Sequence, residues 1–99
     1  IVVGMPTHYS AYTLEAQVES DRVLGNVFGA HFVNLYAYFA TEYALSDAGI
    51  TPTAQDLTDL QANKVPTSLR SDGTHLNANG YTLMAQQVYK CGKRLGYWE

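Results

Sequence analysis

The sequence predicts an α/β fold with parallel strands, and three features carry that expectation. It opens on Ile1-Val2-Val3-Gly4, an apolar β-branched run of the kind buried in parallel sheets. Leu14, Val18, Leu24 and Phe28 then recur at roughly helical spacing before Gly29, where a helix would end. His31-Phe32-Val33-Asn34-Leu35-Tyr36 follows as a second β-rich run. Strand, helix, strand in that order is a βαβ unit, which requires a right-handed crossover and a parallel sheet.

Element by element, Pro6 stops the first strand, and Ser10 or Thr13 can cap a helix over about residues 11–28. Asp21 near its apolar face and Gly25 in its interior weaken that helix. Residues 38–48 read as a short helix closed by Gly49. Thr53 with Asp56 three residues on has the form of a capping arrangement for another helix, through about Ala62. Val65-Pro66-Thr67-Ser68-Leu69-Arg70 reads as extended chain or loop. Finally Tyr81, Met84, Ala85, Val88 and Gly92 repeat as the stripe of an amphipathic helix, with Asn77 as its N-cap.

Bulk composition bounds the function. A chain of 99 residues with 46% hydrophobic and 15% charged content makes at most one globular unit or part of one. Six Lys plus Arg against nine Asp plus Glu leave a net charge of -3, which gives no electrostatic footing for nucleic acid or anionic lipid. No run is long and apolar enough for a signal peptide or a membrane span, so a soluble chain is expected. The single cysteine, Cys91, cannot form an internal disulfide and reads as a packing residue of the last helix. A start inside a buried-type strand, without an initiator Met, suggests that earlier strands of the same domain lie outside this chain.

The chemistry concentrates in Ser71-Asp72-Gly73-Thr74-His75-Leu76-Asn77-Ala78-Asn79-Gly80-Tyr81. Asp is favoured at the first position of a β-turn and Gly73 is a natural turn residue, so the α-carbons of Asp72 and His75 can lie within about 7 Å. A carboxylate that accepts from one ring nitrogen fixes the imidazole tautomer, leaves the other nitrogen free for a proton, and stabilises the imidazolium. His75 would then be a general base and Asp72 its orienting acid. On spacing alone an Asp and a His three residues apart are as compatible with a turn Asp beside a surface His. Asn79 and Gly80 read as supports for this loop, with Gly80 permitting close approach of neighbouring backbone.

The run Asp72-Gly73-Thr74-His75-Leu76-Asn77, followed by Gly80-Tyr81 and an apolar helix, resembles the last conserved block of the SGNH (GDSL-like) hydrolases, in which an Asp-x-x-His pair precedes the final helix. The resemblance implies a three-layer flavodoxin-like fold with a parallel sheet, of which residues 1–99 supply the last strands and helices as the C-terminal part of one domain. It implies a serine esterase in which His75 is the base and Asp72 the acid, with no cofactor. The stretch 50–80, with Thr53-Ala54-Gln55-Asp56 and residues 65–70, also looks like SGNH domains of some bacterial and phage proteins that act at cell surfaces. The family takes its nucleophile from a Gly-Asp-Ser type block and further oxyanion donors from a Gly and an Asn in two middle blocks. This chain shows none of them, and Ser10, Ser20, Ser46, Ser68 and Ser71 lack the setting. The chain alone is therefore expected to be nearly inert, its serine coming from a missing N-terminal segment of the same domain.

Thr7 and His8 follow the first strand, where ligands of open α/β sheets collect, and are candidate substrate-binding residues. Tyr36 and Tyr38 hold the same place after the second strand, with core packing the more natural role. His8, His31, His75 and Cys91 have no metal-ligand spacing, so no metal is expected. The expected partner is an ester, with an O-acetylated glycan, a lipid and a small ester left open, and an extracellular or phage-associated setting is compatible with them. The competing class is a non-catalytic α/β binding or structural module that keeps the Asp-His turn.

Overall fold

The computed structural model describes residues 1–6 and 13–98. The order is β1 (Val2–Val3), α1 (Leu14–Phe28), a 3₁₀ turn at Gly29–His31, β2 (Phe32–Val33), α2 (Leu35–Phe39), α3 (Glu42–Asp47), α4 (Ala54–Gln61), a second 3₁₀ turn at Thr67–Leu69, and α5 (Ala78–Leu95). The architecture is mixed α/β and mostly helical, with one short sheet among the described residues. In that sheet β1 and β2 are parallel, Val2 opposite Phe32 and Val3 opposite Val33. The amide of Gly4 extends the pairing by donating to the Val33 carbonyl at 2.9 Å. No helix among the described residues is long and apolar enough to cross a membrane.

The second strand is shorter than the expected 31–36. Asn34 ends it, because its side chain accepts from the Ala37 amide at 3.1 Å and starts α2, so that Leu35 and Tyr36 enter the core as helical residues. The helix expected over 38–48 is likewise two helices, broken at Thr41, whose backbone is extended. Gly49 closes α3 as expected, at φ 71°.

The core is built by β2, α2, α3, the 65–76 segment and α5, with Leu35, Phe39, Leu45, Leu69 and Cys91 fully buried. Contributions from α1 are polar. Gln17 and Asp21 point inward, joined by a 3.1 Å bond from Gln17 Nε2 to Asp21 Oδ2, which offsets the cost of burying both. Val18, Val23, Val27 and Phe28 face outward. Of the apolar stripe expected to pack α1, Leu14 and Leu24 are half-buried while Val18 and Phe28 are exposed, and in β1 Val3 is 43% exposed.

Cys91 is buried as expected, but the face that α5 buries differs from the predicted stripe. Of that stripe Gly92 is buried and Met84 packs against the core, but Tyr81 and Ala85 are exposed, whereas Gly80, Leu83 and Cys91 from outside it are buried. Backbone approach selects this face. A β-carbon added at Gly80 would stand 2.3 Å from the Leu69 carbonyl oxygen and 2.8 Å from the Leu76 β-carbon. The expected role of Gly80 in admitting neighbouring backbone is therefore realised against the segment that carries Asp72 and His75. Gly80→Ala should lower stability by roughly 1–3 kcal/mol through overpacking. Gly73→Ala, with no atom within 4 Å of the added carbon, should change it by less than about 0.5 kcal/mol. Urea unfolding of the two variants measures both.

Asp56 and Asp59 are the buried carboxylates of α4, at 0% and 4% exposure. Thr53 and Asp56 form the expected capping box, each side chain accepting the other's amide at 3.0 Å. The Asp56 carboxylate also accepts from the Ser68 amide at 2.9 Å and the Ser68 hydroxyl at 2.7 Å. Burial alone would raise the Asp56 pKa, but these donors from Thr53 and Ser68 outweigh it and hold the carboxyl below its ordinary value. A depressed folded-state pKa contributes stability that is present above the unfolded value, near about 3.9, and lost as pH falls through the folded one. Asp56→Ala should cost about 2–4 kcal/mol at neutral pH by leaving the Ser68 and Thr53 donors unpaired, and less as the pH approaches the acid limit. Chemical denaturation across that range gives the comparison.

Candidate active site

The turn from Ser71 to His75 forms between two anchors. Arg70 and Leu76 make an isolated antiparallel bridge, and the Ser71 amide donates to the His75 carbonyl at 2.9 Å. Leu69 and Leu76, at 0% and 3% exposure, fasten the two ends of the loop to the core. Asn77 caps α5 as expected, its Oδ1 accepting from the Gly80 amide at 3.0 Å. It also ties the helix to the incoming chain, donating from Nδ2 to the Ser68 carbonyl at 2.8 Å and from its amide to Leu69 at 3.0 Å.

Within this frame the Asp72 carboxylate folds back over its own turn. Oδ1 accepts from the amides of Thr74 and His75, both at 2.7 Å. This is the local side-chain-to-backbone bonding for which Asp is favoured in turns. The same carboxylate faces the ring of His75, with Nδ1 at 2.9 Å from Oδ2 and 3.1 Å from Oδ1. A carboxylate can only accept, so Nδ1 carries a proton, and in the neutral ring Nε2 presents its lone pair. Among the described residues Nε2 makes no hydrogen bond, and no serine hydroxyl is bonded to the ring.

The structure therefore brings Asp72 and His75 together as expected. Both side chains are exposed, His75 by 64% and Asp72 by 56%. An open groove of about 400 Å³ is lined by Ala40, Thr41, Glu42, Leu57, Leu60 and Gln61, none of them part of the pair. Thr7 and His8 lie outside the described residues. Ser68 spends its hydroxyl on Asp56, and the Ser71 hydroxyl points to the His75 carbonyl at 3.5 Å, so neither addresses Nε2. Tyr36 is buried with its hydroxyl donating to the Asn63 carbonyl, and Tyr38 donates to Asp47 at 2.6 Å, which gives both a packing role. Among the described residues no three His, Cys, Asp or Glu side chains converge as metal ligands do.

Arg70 is the residue of this region that motif reading passed over. Its guanidinium reaches the Asp72 carbonyl, the Val65 carbonyl and Thr67 Oγ1. Nothing local announces it, since a lone arginine after a loop carries no spacing signal.

Compared with known proteins, the chain matches no protein-family model, no curated protein and no solved structure.

The His75 hydrogen bond, with the amides of Thr74 and His75, lowers the Asp72 carboxyl pKa to about 2. An exposed pair is worth little to global stability, so the consequence is local. The turn's ordering is complete above the ordinary carboxyl value of about 3.9 and is lost as pH falls through about 2. Carbon-detected NMR titration of the Asp72 carboxyl should give a midpoint near that lower value, and in His75→Ala the midpoint should move up toward the ordinary one. A wild-type midpoint at the ordinary value would contradict the pairing.

Proposed function

We propose that this chain supplies the acid and base of a serine esterase of the SGNH type. The observation that carries the reading is the Asp72 carboxylate set across Nδ1 of His75 at 2.9 and 3.1 Å, with Nε2 left open on the surface. Such a ring is oriented and in the tautomer that accepts a proton. In the reaction, Nε2 of His75 takes the proton from a serine hydroxyl as its oxygen attacks the ester carbonyl. Asp72 stabilises the imidazolium so formed, and the ring returns the proton to the leaving alcohol. Water then hydrolyses the acyl-enzyme by the same proton path.

On this reading the serine and the oxyanion donors come from a further segment of the same domain, which completes a three-layer flavodoxin-like fold beside β1 and α1. The exposed Val23 and Val27, one turn apart on α1, are apolar surface that such a segment would cover. Substrates in keeping with it are O-acetylated glycans, lipids and small esters, in an extracellular or phage-associated setting. The second reading is a non-catalytic α/β module, favoured by the exposure of the pair and by the lack of a serine hydroxyl against the ring among the described residues.

Hydrolysis of p-nitrophenyl acetate by the protein carrying this chain together with its serine segment decides between them. His75→Ala should cut kcat/KM by several powers of ten with the fold intact, since an exposed imidazole contributes chemistry more than packing. Asp72→Asn should cost less, because its oxygen can still accept from the amides of Thr74 and His75 and keep the turn. Near-normal turnover by His75→Ala would end the esterase reading in favour of the module.

A further inference from the structure

We infer that Arg70 is a positioning residue for the Asp72–His75 pair: its guanidinium, seated on the buried Asp59 carboxylate, holds the Asp72 carbonyl and so aims the Asp72 carboxylate at Nδ1 of His75. The functional meaning of this rests on the esterase reading; the geometric claim does not.

The need for such a device follows from exposure. Two side chains that are 64% and 56% exposed gain little from their own attraction, and their rotamer freedom opposes a fixed geometry. The bridge between Arg70 and Leu76 and the bond from Ser71 to His75 fix the ends of the turn. The Asp72 peptide itself is held at its carbonyl by Arg70 Nη1, at 3.2 Å.

That guanidinium is itself immobilised. Nε donates to the Val65 carbonyl at 2.8 Å, and Nη2 donates to Thr67 Oγ1 at 3.2 Å and lies 3.4 Å from Asp59 Oδ1. The side chain of Arg70 is 20% exposed and that of Asp59 5%. Asp59 has little freedom to move in turn. Its Oδ2 accepts from the Thr67 amide at 2.8 Å and the Thr67 hydroxyl at 2.5 Å, and its Oδ1 accepts from Gln55 at 3.0 Å. A planar fork with all three nitrogens assigned transmits the position of α4 to the Asp72 carbonyl, which a flexible ammonium cannot do.

The test is the tautomer of the His75 ring, read from two-bond proton–nitrogen spectra of the isotope-labelled chain at mildly alkaline pH, where a free imidazole is neutral. Wild type should show the Nδ1–H form. Arg70→Met and Arg70→Lys should both lose its predominance, while the amide signals of α5 stay in place. In the complete esterase both should lower kcat by about ten- to a hundredfold with little change in KM, as expected for misplacement of a catalytic group.

Retention of the Nδ1–H form in both variants would overturn the inference. So would its retention in Arg70→Lys alone, which would assign the effect to charge rather than to the fork. If Arg70→Met does not fold, Arg70→Lys and Asp59→Asn carry the test, and both are expected to lose the form. A wild-type chain that shows the Nδ1–H form but whose complete protein hydrolyses no ester would sink the esterase reading and leave the positioning role standing.

Discussion

The Asp56 carboxylate has no exposed surface, and a buried carboxylate is tolerated only when donors occupy its lone pairs. Its donors are the Thr53 amide at the start of α4 and the amide and hydroxyl of Ser68, twelve residues on. One group therefore ends a loop, starts a helix and seats the 3₁₀ turn at Thr67–Leu69. Asp59, one helical turn further along α4, repeats the arrangement with Thr67. With that turn seated, Leu69 drops into the core, and its carbonyl meets both the Asn77 amide and the close approach at Gly80. The start of α5 and the Asp72–His75 loop before it inherit their placement from these two acids.

Three carboxylates of this region share a lowered pKa for different physical reasons. At Asp56 and Asp59 burial opposes ionisation and a ring of hydrogen-bond donors overcomes it, so ionisation and packing are coupled. At Asp72 the lowering comes first from the His75 ring and then from two turn amides, with solvent all around. The first two stabilise the fold, whereas the third only organises a loop.

The polar interior of α1 sets a further constraint. Asp21 and Gln17 satisfy one another inside, and Val23 and Val27 of the opposite face remain in water. Their outward position leaves α1 with exposed apolar residues in this chain.

Much of the loop was legible from the sequence because it is local. The Asp72 carboxylate accepts from the amides of Thr74 and His75, Thr53 and Asp56 cap within four residues, and Asn77 caps α5, all through contacts that span two or three positions and need no tertiary partner. The parallel pairing of β1 with β2 was legible for a related reason, since the order strand, helix, strand leaves few other solutions. Tertiary structure alone decided what lies across longer separations: the bonds from Ser68 to Asp56, the seat of Arg70 between Asp59 and the Asp72 carbonyl, and the Asn77 tie to Ser68. It also decided which faces of α1 and α5 turn inward. Periodicity marks an apolar stripe, but the face that is buried is the one whose neighbours fit. At α5 backbone contact at Gly80 chose it, and at α1 the buried pair Gln17–Asp21 points inward while Val18 and Phe28 of the expected stripe are exposed.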